Sequence, residues 1–197
     1  MKRRAFLRSF SIAVAAAALI GPARAERQFD FFNAVFGARR AFSYRGKQLV
    51  PYDGPERPGT IIIRTDQRYL YYVLPGGQAI RYGVGVGREG FEWSGVAMVG
   101  RKEVWPDWHP PKEMIARELA QYGRQLPDVL PGGPDNPLGA RALYLYANGQ
   151  DTMYRIHGTN APETIGQAMS SGCIRMLNEE VIDLWERTPV GAKVIVM

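Results

Sequence analysis

Cysteine and histidine are both scarce in this sequence. Its 197 residues include one cysteine, Cys173, and two histidines, His109 and His157. In an exported protein cysteines normally pair as disulfides, so a single one is a buried apolar filler, an intermolecular link or a reactive thiol. Residues so few and so far apart in sequence form no cluster of metal ligands. We therefore expect neither a metal nor a cofactor.

Long hydrophobic runs are also lacking. The one candidate, residues 10–20, is too short and alanine-rich to span a bilayer, which takes about 20 apolar residues. It lies between Lys2-Arg3-Arg4 and Ala23-Arg24-Ala25, the order typical of a signal peptide. We predict a signal peptide over residues 1–25, of the twin-arginine type rather than the general secretory type, and a protein of the periplasm or cell envelope. The alternative is an uncleaved membrane anchor.

An excess of positive charge is lacking once this segment is set aside. The formal charge of the whole chain is +6, and the segment holds five basic and no acidic residues, which leaves 6 − 5 = +1. A near-neutral domain without a basic cluster lacks the electrostatic footprint of a nucleic-acid-binding protein. We therefore expect no nucleic-acid partner.

The remaining 172 residues, 197 − 25, suffice for one domain with a full hydrophobic core. Residues 26–58 are irregular and aromatic, and we predict an N-terminal extension that packs on a domain at 59–197. Within that domain, β-branched and aromatic runs bounded by turn residues predict seven strands: 60–64, 69–74, 79–86, 96–105, 142–147, 152–157 and 193–196.

Two helices are predicted among these strands. One covers 111–121, and the other covers 178–187, with Asn178 as its cap. Because the strands do not alternate regularly with helices, the pattern favours a mainly β fold, an antiparallel β-sandwich or barrel with a few short helices, over a doubly wound parallel sheet. The glycines at 83, 85 and 87 precede no helix, so they do not form a dinucleotide fingerprint.

His157 ends a predicted strand, and Cys173 follows it by sixteen positions (173 − 157). A thiol with a pKa of about 8.5 is mostly protonated near neutrality, so a nucleophilic cysteine needs an imidazole or another cation beside it. Gly172 allows close approach of a substrate, backbone N–H groups there could hold an oxyanion, and Arg175 could bind a carboxylate. These residues suggest cysteine acyl transfer, but an inert thiol remains an alternative.

The stretch from Ile156-His157-Gly158-Thr159-Asn160 to Ser170-Ser171-Gly172-Cys173-Ile174-Arg175 resembles the signature of the YkuD-type L,D-transpeptidase family. The likeness includes residues 83–87, 135–139 and 190–196 and so covers most of 59–197. One position departs from the family pattern: Ser171 stands where many members have a second histidine. Its hydroxyl can still hydrogen-bond the loop.

The resemblance implies a mostly β catalytic domain that acts on peptidoglycan stem peptides. Cys173 would attack a tetrapeptide after its diaminopimelate-type residue, release D-Ala and form a thioester, which an amine acceptor resolves. His157 would be the proton donor and acceptor. The other candidate residues are assigned to the oxyanion site and loop shape (Gly172, Ser170, Ser171) and to substrate binding (Arg175, Gly158, Thr159, Trp105).

The sequence leaves alternatives open for the reaction and for the roles of three residues. Water could replace the amine, making the protein an L,D-carboxypeptidase, or the domain could be a non-catalytic peptidoglycan-binding module. Arg175 could hold the helix at 178–187 by a salt bridge instead of binding substrate, and Thr159 and Ser170 could only shape loops. A papain-like peptidase is disfavoured because there the cysteine precedes the histidine.

Overall fold

The computed structural model describes residues 44–91 and 93–197. The predicted signal peptide and most of the predicted extension, including its phenylalanines, lie outside the described residues. The described part contains eleven strands: β1 Gln48–Pro51, β2 Ile61–Arg64, β3 Tyr69–Leu74, β4 Gln78–Gly83, β5 Val86–Gly87, β6 Gly95–Val104, β7 Arg141–Ala147, β8 Gln150–His157, β9 Ala168–Ser170, β10 Ile174–Arg175 and β11 Lys193–Val196. It also contains two α-helices, α1 Lys112–Tyr122 and α2 Asn178–Arg187, and a 3₁₀ turn at Pro162–Thr164.

Nine of the described strands form one sheet in the order β1-β4-β3-β2-β11-β6-β7-β8-β10, and β5 pairs with β9 separately. Most neighbouring pairs are antiparallel, but β11 runs parallel to β2 and β10 runs parallel to β8. The predicted mainly β class with a few short helices is confirmed, although the sheet is mixed in orientation. The parallel pairs join strands distant in sequence, and strand signals in the sequence do not specify which strands will pair.

The N-terminal extension was predicted to be irregular, and this is wrong at Gln48–Pro51. These residues form β1, an edge strand paired antiparallel with β4. Pro51 lies at the end of this edge strand, where a missing N–H does not break the sheet. Nearby, the Tyr44 hydroxyl donates to Glu180 of α2 at 2.6 Å. Part of the predicted extension therefore belongs to the sheet, and the domain boundary stays a prediction.

The hydrophobic core lies between one face of the large sheet and α2. Val181 and Leu184 of the helix are fully buried against strand residues such as Leu143 and Ile156. Fully burying one such side chain contributes about 1.5–3 kcal/mol to stability. At the end of this helix the backbone carbonyl of Arg187 accepts a hydrogen bond from the hydroxyl of Tyr72. The helix is therefore fixed over the sheet by packing and by polar contacts.

Helix α1 differs from α2 because none of its residues is buried. It ends at Gly123, whose left-handed φ of 63° lets its N–H bond back to the last turn. Among the described residues, neither helix is long and apolar enough to cross a membrane.

Candidate active site

The predicted base is the last residue of β8, and the predicted nucleophile immediately precedes its parallel neighbour β10. In the register of β10 with β8, Ile174 lies beside Ile156 and Arg175 lies beside His157. Paired residues point to the same face and successive residues alternate. Because Ile174 and Ile156 face the core, His157 and Arg175 face the other way. Cys173 lies just before β10. Because it is two residues before Arg175, it lies on the same face of the sheet as Arg175 and His157.

The cysteine lies in a tight loop closed by Ser170. The Ser170 hydroxyl donates to the carbonyl of Cys173 at 2.6 Å and accepts from the N–H of Gly172 at 3.1 Å. Gly172 has φ 110°, and a Cβ there would lie 2.3 Å from the ring of Tyr154. Only glycine fits this position without strain. Ser171, by contrast, is exposed.

This loop changes the expected source of the oxyanion contacts. The sequence predicted an oxyanion contact from the backbone N–H groups around Gly172. The N–H of Gly172 is already donated to Ser170. The N–H of Cys173 has no partner within the described part of the chain, so it is the backbone donor available at the thiol.

His157 is 5% exposed, and its Nδ1 lies 2.6 Å from the carbonyl oxygen of Gly158. A carbonyl only accepts, so Nδ1 carries a proton in this contact. Burial lowers the pKa of His157 from 6.5 to about 4, and the nearby charges of Arg175 and Arg155 act in the same direction. Backbone hydrogen bonds to Gly158 and Leu138 oppose this shift without cancelling it. The imidazole is therefore neutral near pH 7 and can take up a proton.

Cys173 is a free, partly exposed thiol. Burial raises the pKa of its sulfur, whereas a backbone hydrogen bond from Arg155 and the charges of Arg155 and Arg175 act to lower it. The thiol pKa thus lies above that of the imidazole. Without substrate, the pair is a neutral thiol and a neutral imidazole rather than a preformed ion pair. A thiolate forms only as its proton moves to a base.

Arg175 makes no ion pair within the described residues, so the suggested salt bridge to α2 is not found. Its Nη1 instead donates to the Thr164 hydroxyl at 3.3 Å, and its backbone N–H and carbonyl bond to Gly85. The contact to Thr164 is long and uses one of five donors. The guanidinium therefore keeps donors for a carboxylate.

Asn178 has a different role from the predicted helix cap. Helix α2 begins after Leu177 without a side-chain cap, and Asn178 is its first residue. Its Oδ1 accepts from the N–H groups of Ala140 and Thr159 at 3.0 and 3.2 Å, and its Nδ2 donates to the Thr159 carbonyl at 3.0 Å. A Cβ on Gly158 would lie 2.2 Å from this Oδ1. Gly158 and Thr159 therefore form the docking point of the amide.

Trp105, the last of the four predicted substrate contacts, follows β6. It is 41% exposed and adopts a left-handed φ of 46°. Its N–H bonds to the Ala140 carbonyl at 3.0 Å. Buried Asn136 secures the loop beyond it, donating to the carbonyls of Pro106, Leu130 and Pro131.

Two features near the thiol were missed by sequence reasoning. Trp93 and Tyr154 stack with ring centroids 5.3 Å apart, and Tyr154 borders Gly172. Arg155 lies two residues before His157, and its charge acts on Cys173. Strand alternation would have placed Arg155 on the face of His157. Nothing in the sequence shows that Trp93 and Tyr154 meet.

The mixed sheet, with His157 at the end of β8 and Cys173 just before its parallel neighbour β10, defines the class of a mainly β domain with a cysteine and a histidine on one face. Residues 58–196 match the YkuD family, described as the L,D-transpeptidase catalytic domain. The chain belongs to this family.

The Escherichia coli K12 protein named probable L,D-transpeptidase YbiS is 39% identical over 140 residues, which are 69% of this chain and 43% of that protein. The chain thus spans under half the length of this curated relative. A crystal structure from Brucella melitensis, titled probable carnitine operon oxidoreductase caia, is 45% identical, with a TM-score of 0.53, over 82% of this chain and all of its own. An L,D-transpeptidase from Mycobacterium smegmatis shares the fold, with a TM-score of 0.52 at 16% identity over 70% of this chain and 58% of its own.

Proposed function

We propose that the protein is a peptidoglycan L,D-transpeptidase in which Cys173 is the nucleophile and His157 the general base. The observation that carries this is the register of β10 with β8, which brings Cys173, Arg175 and His157 to one face of the sheet. The neutral imidazole supports it, because a base must be unprotonated to accept the thiol proton. Family membership gives the reaction class.

In the first half of the reaction, the sulfur of Cys173 attacks the amide carbonyl that follows the L-centre of the diaminopimelate-type residue, and its proton passes to His157. The carbonyl oxygen takes up negative charge, and the N–H of Cys173 is the available donor to it. When the carbon–nitrogen bond breaks, the imidazolium returns the proton to the amine of D-Ala. A thioester remains.

In the second half, an amine from another stem peptide or an anchored protein attacks the thioester. His157 accepts a proton from this amine and gives it to the departing thiolate, so thiol and imidazole are regenerated. A new amide bond replaces the old one without an external energy source. Arg175 is proposed to order the loop or bind a substrate carboxylate, and Trp105, Gly158 and Thr159 are proposed substrate contacts.

The proposed site of action is the periplasm or cell envelope. The support is the signal-like pattern over residues 1–25 and the substrate itself, since stem peptides belong to the cell wall.

Three alternative functions can be compared with this proposal. Hydrolysis of the same thioester would make the protein an L,D-carboxypeptidase, and loss of reactivity would leave a binding module. The similar protein from Brucella melitensis is named as an oxidoreductase, which would be a third function. The glycine run at 83–87 lies at the end of β4 and in β5, not at a turn that opens a helix, so it does not support dinucleotide binding.

The test is mass spectrometry of purified tetrapeptide muropeptides incubated with the chain from Glu26 and with its Cys173→Ala variant. We expect D-Ala release and cross-linked dimers from the unsubstituted protein only. Gln78→Ala is the matched control, because this exposed residue of β4 lies outside the candidate site and should leave the products unchanged. His157→Asn should slow turnover by about 10²-fold to 10⁴-fold.

The products separate the alternatives. Tripeptide without dimer would replace the transferase by the carboxypeptidase. If varied donors gave neither a thioester on Cys173 nor any product, the catalytic proposal would be wrong and the binding module would remain.

A further inference from the structure

A row of side chains crosses β6, β7 and β8 and ends at Cys173, which lies just before β10. Arg101 of β6 is the registered partner of Tyr144 of β7, and Tyr144 is the partner of Arg155 of β8. The register of β10 with β8, continued by one residue, brings Cys173 beside Arg155. The row lies on the face opposite α2, next to His157 and Arg175.

Arg155 is held in this row from two sides. Its guanidinium lies 4.4 Å from the ring centroid of Tyr144, and Arg101 lies 3.6 Å from the same centroid. It also forms a bidentate pair with Asp151, with Nη1–Oδ1 and Nη2–Oδ2 distances of 2.7 and 3.0 Å. The Tyr144 hydroxyl donates to Glu103 at 2.6 Å, which fixes the ring.

The backbone of β8 makes this pair possible. The strand bulges opposite Leu145, where Met153 adopts φ 63° and donates its N–H to Asp151 at 2.8 Å. The bulge allows the Asp151 carboxylate to reach the guanidinium of Arg155, which is four residues further along the strand. With 13% of its side chain exposed, Arg155 is poorly screened by water.

We propose that Arg155 is a positioning residue for the reaction: its clamped guanidinium holds positive charge beside Cys173 and stabilises the thiolate while His157 carries the proton. The inference rests on the proposed function, since it assigns Arg155 to the same nucleophile. Arg175 adds a second positive charge near the thiol, whereas Asp151 pairs with the Arg155 guanidinium and opposes its effect. The backbone N–H of Arg155 also bonds to the thiol, and this contact is independent of the guanidinium charge.

The test is the pH dependence of Cys173 alkylation by iodoacetamide, which reports the thiolate fraction without any peptidoglycan substrate. In Arg155→Met, which removes the charge and keeps an unbranched stem, we expect the midpoint of the profile to rise by about one pH unit. Arg155→Lys should recover most of this shift. Arg187→Met is the matched control, because Arg187 forms the same kind of i,i+4 pair with Asp183 on α2, away from the thiol.

Two outcomes would overturn the inference. One is a midpoint in Arg155→Met equal to that of the unsubstituted protein. The other is an equal rise in Arg155→Met and Arg155→Lys, which would assign the effect to packing instead of charge. Because the readout needs no turnover, a shifted profile in a protein that makes no cross-links would refute the proposed function and leave the electrostatic role of Arg155 standing.

Discussion

Replacing His157 by asparagine is expected to reduce the loss of folding stability between pH 7 and pH 5. In the unfolded chain the imidazole binds a proton with a pKa near 6.5, whereas burial lowers the folded pKa to about 4. Protons therefore bind the unfolded chain preferentially. The folding stability due to the neutral imidazole is fully present above pH 6.5 and is lost as the pH falls toward 4. Linkage of the two values gives a loss of about 2 kcal/mol between pH 7 and pH 5, rising to about 3 kcal/mol at pH 4.

Asparagine is the suitable replacement because its Nδ2 can donate to the Gly158 carbonyl in place of Nδ1 and does not titrate. The variant loses packing, so its absolute stability will be lower. The comparison concerns only the pH dependence. Other titrating groups on the fold, such as buried Glu180 and Asp183, are present in both proteins and cancel in the difference.

The assay is urea denaturation followed by tryptophan fluorescence at the two pH values. The unsubstituted protein should lose about 2 kcal/mol more than His157→Asn on acidification. Equal pH dependence of the unsubstituted protein and His157→Asn would refute the view that His157 is neutral because it is buried.

Two further substitutions test the loops around the thiol. Gly172→Ala should lower the free energy of unfolding by about 1–3 kcal/mol, because the added Cβ would overlap Tyr154. Gly76→Ala, also at positive φ but in open space, should lower it less. Equal urea midpoints for the two variants would contradict this. Asn178→Ala should lose about 1–3 kcal/mol in the same assay, because two backbone N–H groups lose their acceptor, and Asn178→Asp, which keeps an acceptor, should lose less. A loss in Asn178→Ala below about 0.5 kcal/mol would show that water replaces the amide.

Local patterns in the sequence were enough to predict several elements. The helix predicted at 178–187 matches α2, because acidic residues in the first turn and a proline beyond the end mark its limits. The strands at 69–74 and 193–196 also match their predicted positions, since runs of aromatic and β-branched residues between turns suit only a strand.

Other elements were predicted incorrectly because their positions depend on distant partners. Gln48–Pro51 has no strong strand signal and becomes a strand only because the edge of β4 offers hydrogen bonds. Asn178 resembles a helix cap in sequence, but its amide finds backbone partners at Ala140 and Thr159 that only the folded chain supplies. Gly172 was expected to donate to an oxyanion, and Ser170 takes that N–H first.

The sequence by itself determined the residue types of the site and their order: a single cysteine after a glycine, a histidine sixteen positions earlier, and an arginine two positions later. These features are local, and the resemblance to the L,D-transpeptidase family depends on them. Tertiary structure decided the protonation of the thiol and imidazole, because desolvation depends on what covers each group. It also decided that Arg155 lies beside the thiol, because the pairing of β10 with β8 joins residues whose contact no local pattern specifies.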